Sequence, residues 1–285
     1  MTDIWVCGSC HSLNRQRSKR CYKCGAEQEV AATGQGAMHR QREAIATRQV
    51  IPYKPSALLG FAATIFLLAL AGLAVGQVLL EIRAYQPLVN EIERIGAGAD
   101  PNPAVLESWN SSSLPLALTN VGVVIFTLLF FGAWLSRTVG NVPALGGGVP
   151  GTSPAAAFRD TLIPVRNLWK VPGIITDVLY RLDPKAGGVF MVGVAWLGLV
   201  GSWIVSFLAG WYLDLRLQFD AFNAQSVSEF VDSVRGLFPI ALAIDVACGA
   251  LIAIGALVLI LLIVRIERRS RDRDAEVRAV AGSLE

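Results

Sequence analysis

ALLGFAATIFLLALAGLAVGQVLL, residues 57–80, contains no charged residue. A helix needs about 20 predominantly apolar residues to cross the ~30 Å hydrocarbon core of a bilayer. Only a segment that satisfies its own backbone hydrogen bonds can lie there. Three more runs have the same character, at 115–135, 189–213 and 239–264, and the one charge among the four runs is Asp245. The chain has 285 residues, 53% hydrophobic and 16% charged, whereas soluble domains carry about 25% charged residues. The pattern predicts an all-α membrane fold with transmembrane helices at 57–80, 115–135, 189–213 and 239–264, in contact with a lipid bilayer.

Between the runs, Lys and Arg are distributed unevenly. They number 9 in 1–56, 6 in 136–188 and 6 in 265–285, against 2 in each of 81–114 and 214–238. Basic segments stay in the cytoplasm. The bias predicts a multi-pass protein of a bacterial inner (plasma) membrane with both termini cytoplasmic. The first long apolar run begins only at residue 57, so a secretory leader is not expected.

The polar N-terminal segment holds Cys7, Cys10, Cys21 and Cys24, two C-x2-C knuckles ten residues apart. In a reducing compartment paired knuckles point to metal rather than disulfides. Four thiolates form a closed tetrahedral shell that suits Zn2+ and leaves no position for a reactive water. A module this small draws most of its folding free energy from the metal. Residues 1–26 are therefore read as a zinc finger with a β-hairpin, zinc-ribbon-like build. The fifth cysteine, Cys248, reads as a small packing residue in the fourth run.

With Trp5 and Asn14 the segment reads W-x-C-x2-C-x3-N-x6-C-x2-C, which resembles the Ran-binding-protein type zinc finger. That resemblance implies two crossed hairpins around one zinc and a surface for a ubiquitin-like protein or for single-stranded RNA. His11 and Ser12 stand where ubiquitin-binding members carry Thr-Phe, and Arg15 stands where RNA-binding members carry a second aromatic. Trp5, Asn14, Arg15 and Arg17 are the candidate partner-binding residues. Arg15, Arg17, Lys19, Arg20 and Lys23 equally suit a basic face resting on anionic lipid. Residues 27–56, rich in Ala, Gln, Thr and Gly, read as a flexible linker.

After the first run, Leu79, Ile82, Val89, Ile92 and Ile95 predict a helical extension, broken at Pro87. The loop 136–188 predicts two interfacial helices within 155–183. One would carry Phe158, Leu162, Val165, Leu168 and Trp169 on one face. The other would carry Ile174, Ile175, Val178, Leu179 and Leu182, with Asp177 and Arg181 paired. Here W-x2-R-x3-N (Trp134, Arg137, Asn141) is followed by P-x2-N-L-W-x2-P (Pro164, Asn167, Leu168, Trp169, Pro172). Both resemble a bacterial membrane family known as domain of unknown function 4328, which implies an architecture over roughly 55–265 and no activity. Trp134 is expected at the headgroup level. Arg137, Asn141 and Asn167 suit a polar knot, and Arg137, Arg166 and Lys170 an anion or headgroup corner.

Trp196 and Trp203, seven apart, are expected on one face of the third helix. Gly193, Gly198, Gly201, Gly72 and Gly76 would permit close helix contacts, and a homo-oligomer is one use for them. Asp245 is either a structural acid near the outer end of the fourth helix or an ion or proton group. Residues 266–285 read as a charged cytoplasmic helical tail with Glu267–Arg271 and Asp274–Arg278 pairs and a solvated surface. No paired-carboxylate site, histidine-based set or phosphate-binding glycine loop occurs, so an enzyme is not expected. The sequence reads best as a non-enzymatic membrane protein over 57–265 that displays a zinc finger for protein or RNA recruitment. The alternative is a small transporter, channel or lipid- or anion-sensing protein using Asp245 or the Arg137/Arg166/Lys170 corner.

Overall fold

Each of the four apolar runs lies inside a helix longer than the run itself. The computed structural model describes residues 4–6, 13–15, 52–183 and 188–282. Two short strands, β1 (Ile4–Val6) and β2 (Leu13–Arg15), pair antiparallel with Trp5 opposite Asn14. Cys7, Cys10, Cys21, Cys24 and Arg17, with most of the 27–56 linker, lie outside the described residues.

The remaining described elements are helical: α1 (Ala57–Gly96), α2 (Pro103–Asn141), α3 (Pro154–Leu162), α4 (Pro164–Asn167) and α5 (Lys170–Leu182). A short 3-10 turn (Pro143–Leu145) follows α2. Next comes α6 (Val189–Trp196), which continues through a π-helical turn (Leu197–Gly201) into α7 (Ser202–Asn223), and α8 (Val227–Gly282) completes the chain. Four stretches are long and apolar enough to cross a membrane: Ala57–Gly96, Leu114–Asn141, Val189–Asn223 and Val227–Ala279. The ends of the bundle differ in charge. The segment entering α1, the α2–α6 connection and the tail of α8 share the basic end, and the two short connections share the other.

Pro87, Pro115 and Pro239 were expected to break or begin helices, yet each lies inside one. A proline removes one backbone hydrogen bond and crowds the preceding turn, so tertiary contacts must outweigh that cost. Around Pro87 and Pro239, α1 and α8 run antiparallel and touch. Tyr85 stacks on Phe238 at 5.4 Å, and Arg235 reaches Glu93 at 3.0 Å. A Cβ on Gly96 would lie 2.8 Å from Val231. The same seam continues through Gly249 against Val78 and Gly60 against Ile263, and ends at Ser56 and Glu267. It spans nearly all of α1.

The other helices attach to this seam. Phe66 of α1 stacks on Phe126 and Phe130 of α2 at 5.4 and 5.2 Å. The α6–α7 helix crosses α8 where two glycines meet. A Cβ on Gly198 would fall 2.6 Å from the Leu251 carbonyl oxygen and 2.7 Å from Gly255 Cα, so backbone lies on backbone. Gly198 thus fulfils the close approach expected of it, whereas Gly72, Gly76 and Gly193 have nothing within 4 Å. The π turn beside this crossing also corrects the tryptophan reading. Its wider winding shifts the helix phase, so Trp196 is 8% exposed and Trp203 62%. They do not share a face.

The largest fully buried side chains gather mainly toward the basic end: Trp134, Leu135, Val139 and Val142 of the α2 end, Val171, Ile175 and Leu182 of α5, and Leu262, Ile263 and Ile266 of α8. Three short helices, rather than two, form the stretch 154–182. Ile163 precedes Pro164 and takes an extended conformation (φ −88°, ψ 110°), as a residue before proline prefers. The helix therefore breaks there, and Val165 and Trp169 turn outward instead of sharing a face with Phe158. The face of α5 is as expected: Ile174, Ile175, Val178, Leu179 and Leu182 are all buried. The tail is a correction, because Ile266, Glu267, Ser270, Asp274 and Val277 are buried along one side of α8.

Replacing Gly198 by leucine forces two backbones apart, and overpacking of this kind costs about 1–3 kcal/mol or more. We expect G198L to lower the thermal unfolding midpoint in detergent, while G193L, at a glycine with open space beside it, leaves the midpoint unchanged.

Candidate functional site

The polar groups of the basic end converge on Glu267. Its Oε1 accepts hydrogen bonds from Ser56 Oγ at 2.6 Å and from Trp134 Nε1 at 2.8 Å. Trp134 is fully buried, and its indole lies close against the backbone of Gly60. A Cβ on Gly60 would meet the indole Cδ1 and Nε1 at 3.1 Å. The Glu267–Arg271 pair does not form, because the carboxylate turns inward. Asp274 and Arg278 do pair, at 2.8 Å. Glu267 Oε2 is buried without a hydrogen-bond partner.

Just above this knot, Asn141 holds the chain as it enters α1. Its Nδ2 donates to the Lys54 carbonyl at 2.7 Å, and its Oδ1 accepts from the Lys54 amide at 3.1 Å. A buried carboxamide thus pairs with a peptide group as a neighbouring strand would. Ser56 and Lys54 were unmarked in the sequence because serine and lysine before a helix usually face water. Glu267 was misassigned because an arginine one turn later is the ordinary surface partner of such an acid.

The P-x2-N-L-W-x2-P stretch makes the reversal between α3 and α5. Pro164 opens α4, where its missing N–H costs nothing. Asn167 Nδ2 donates to the Thr161 carbonyl at 2.9 Å, and its own carbonyl accepts from Trp196 Nε1 at 2.9 Å. Pro172 lies in the first turn of α5, and its carbonyl accepts from Thr176 Oγ1. Trp169 is 60% exposed, as an interfacial aromatic would be. Farther along, Asp177 and Arg181 pair at 2.8 Å and clamp the glycine-rich turn. Arg181 donates to the Gly147 carbonyl at 3.1 Å, and Asp177 accepts from the Gly151 amide at 3.1 Å. Gly146 and Gly148 of this turn have φ of 75° and 69°.

The expected polar knot does not assemble. Arg137 is exposed, Asn141 holds Lys54, and Asn167 holds Thr161, so the three do not form one knot. Of the Arg137/Arg166/Lys170 set, one member is already paired. Arg166 is engaged by the buried Asp160 at 3.1 Å, and Arg137 and Lys170 lie exposed. Burial alone would raise the Asp160 carboxyl, but hydrogen bonds from Arg166 and Arg159 outweigh it and hold the group below the usual carboxylate range.

Toward the other end of the seam, Gly249 packs on Val78 and Ala74. One turn farther in this antiparallel register, Asp245 of α8 falls at about the level of Glu81 of α1. Gln77 donates to Glu81 Oε1, while Glu81 Oε2 is buried without a partner. Cys248 is buried, as a packing residue would be. Among the described residues no three His, Cys, Asp or Glu side chains form a metal-binding group.

A family model described as "Domain of unknown function (DUF4328)" matches residues 97–268. No curated protein matches the chain, and no solved structure matches it. The matched stretch begins beside Gly98, in the turn after α1, and ends just past Glu267, so the Trp134–Glu267 bond lies wholly within it.

Trp134→Phe keeps a ring in the core but deletes the donor to Glu267. Leaving a buried acceptor short of a bond costs about 1–3 kcal/mol. We expect W134F to lower the unfolding midpoint clearly, and R137A, at an exposed side chain, to leave it within error, both measured by thermal unfolding in detergent.

Proposed function

The chain belongs to the DUF4328 family, and from that premise we propose that it is a non-enzymatic bacterial membrane protein whose helices hold a zinc-dependent head for recruitment. The carrying observation is the grip on the segment that joins the N-terminal region to α1. Lys54 is bonded twice by Asn141, and Ser56 is bonded by Glu267. A segment that merely led into a membrane helix would need neither bond. A segment carrying a load at the membrane surface would need its base fixed.

The head itself is supported by the thiolate spacing of Cys7, Cys10, Cys21 and Cys24, which suits one Zn2+ in a closed shell. The pairing of β1 and β2 on either side of the first knuckle supports it further. In this reading Trp5, Asn14, Arg15 and Arg17 contact a cytoplasmic partner, either a protein or a single-stranded RNA. The positive charge of the termini and the α2–α6 connection supports an inner-membrane location with that end in the cytoplasm. The outward-facing Val165, Trp169 and Phe190 support docking of the basic end on lipid.

The test is capture from lysate by the full chain in nanodiscs, with and without chelator. We expect about one zinc per chain, and a retained protein or RNA that is lost on chelation and in Cys7→Ser. Metal far below one equivalent, or capture indifferent to chelator, would refute the proposal.

One observation favours a second reading, in which the bundle passes a cation. Glu81 and Asp245 are two acids set level in a largely apolar seam, and intramembrane acids commonly mark ion paths. Proteoliposome flux that falls in both E81Q and D245N supports this reading, and flux equal to that of empty liposomes sinks it.

A further inference from the structure

A groove of about 340 Å3 runs along α8 at the basic end, with Tyr53 and Pro55 on one side and Glu267, Arg271, Asp274 and Arg278 on the other. The four α8 residues recur turn by turn and form one stripe. Glu267, at its membrane-proximal end, is 7% exposed. Its two bonds come from neutral donors, both on Oε1, and its Oε2 has none. Among the described residues no cation pairs with it. A buried carboxylate compensated only by neutral dipoles is poorly matched and favours an added cationic donor. One turn along, Arg271 is exposed and takes part in none of the described hydrogen bonds or ion pairs. The far end is closed by the Asp274–Arg278 pair.

The groove opens at the edge of the apolar belt. Leu58 and Phe61 on α1, and Leu261 and Val264 on α8, are exposed apolar side chains. The first charge beyond them on α8 is Arg265. Glu267 therefore lies within the first turn past the hydrocarbon boundary, where lipid headgroups reside.

We propose that this groove binds the aminophosphate headgroup of an ethanolamine phospholipid, with the ammonium on the Glu267 carboxylate and the phosphate on Arg271. An ammonium offers three N–H donors and no acceptor, which suits an orphaned carboxylate oxygen. A guanidinium is a strong phosphate donor. The two protein groups are four residues apart on one helix, an axial rise of about 6 Å, within reach of an ammonium and a phosphate joined by two carbons. A choline headgroup carries the charge but no N–H donor, and a glycerol headgroup carries the phosphate but no cation. Soluble phosphoethanolamine shares the polar chemistry. The position of the groove against the apolar belt selects the lipid, whose chains continue into the bilayer. This inference is independent of the zinc head and uses none of its residues.

The experiment reconstitutes the full chain in nanodiscs of mixed ethanolamine, choline and glycerol phospholipids, then counts retained lipid by native mass spectrometry. We expect the ethanolamine lipid to be retained over both others. E267Q and R271A should each reduce that retention by about tenfold, the size of one charge-assisted hydrogen bond. R268A, exposed on α8 and outside the groove, should not change it. Unfolding midpoints separate lost binding from lost fold. If E267Q is unstable, the exposed R271A decides the outcome. Equal retention of choline and ethanolamine lipids, or unchanged retention in R271A, overturns the proposal. Soluble phosphoethanolamine that raises the midpoint while its lipid is not retained overturns the lipid assignment.

Discussion

The basic end depends on a single buried oxygen. Glu267 Oε1 receives Ser56 from the entry to the first span and Trp134 from the end of the second, while its own backbone belongs to the last. Three distant pieces of chain are thereby fixed to one point. Neutral donors accomplish this without another buried charge, avoiding the desolvation that a second ion would require. The side chains packed around that point, Trp134, Ile263 and Ile266 among them, are essentially inaccessible. Their close packing follows from the short bonds at the centre.

Much of the architecture was legible from composition. Uncharged runs of membrane length mark four spans because backbone in lipid has few alternatives to a helix. The buried face of α5 was legible from its spacing, and Gly198 from its lack of a side chain beside a helix partner. Helix lengths were not legible. Prolines at 87, 115 and 239 look like ends when each segment is read alone, and the contact between α1 and α8 shows why the helices pass through those at 87 and 239. The Glu267 knot was hidden for a related reason. An acid followed by arginines satisfies local rules so well that a partner 133 or 211 residues away leaves no local trace. Trp203 was misread because a single π turn, which no residue pattern announces, changed the phase between two tryptophans.

The residues of the two sequence motifs have separate tasks. Trp134 supports Glu267, Asn141 grips the incoming chain, and Asn167 links the end of α3 to Trp196. Their common result is a hydrogen-bonded cap at one end of a bundle whose middle and far portions expose Phe207, Trp211, Leu118, Ile125 and Leu257 outward. Such exposure suits a hydrocarbon environment, where apolar surface carries no hydrophobic penalty.

The seam between α1 and α8 also bears on the order of biogenesis. Its contacts join the first span to the last along nearly the full length of α1. During synthesis the first three spans reach the bilayer before the strand of sequence that completes their packing exists. Contacts of such large sequence separation are slow to establish. Until α8 emerges, the Trp134 indole and the Ser56 hydroxyl lack their acceptor. The synthesis of α8 is therefore the step that supplies the acceptor to the Trp134 indole and the Ser56 hydroxyl.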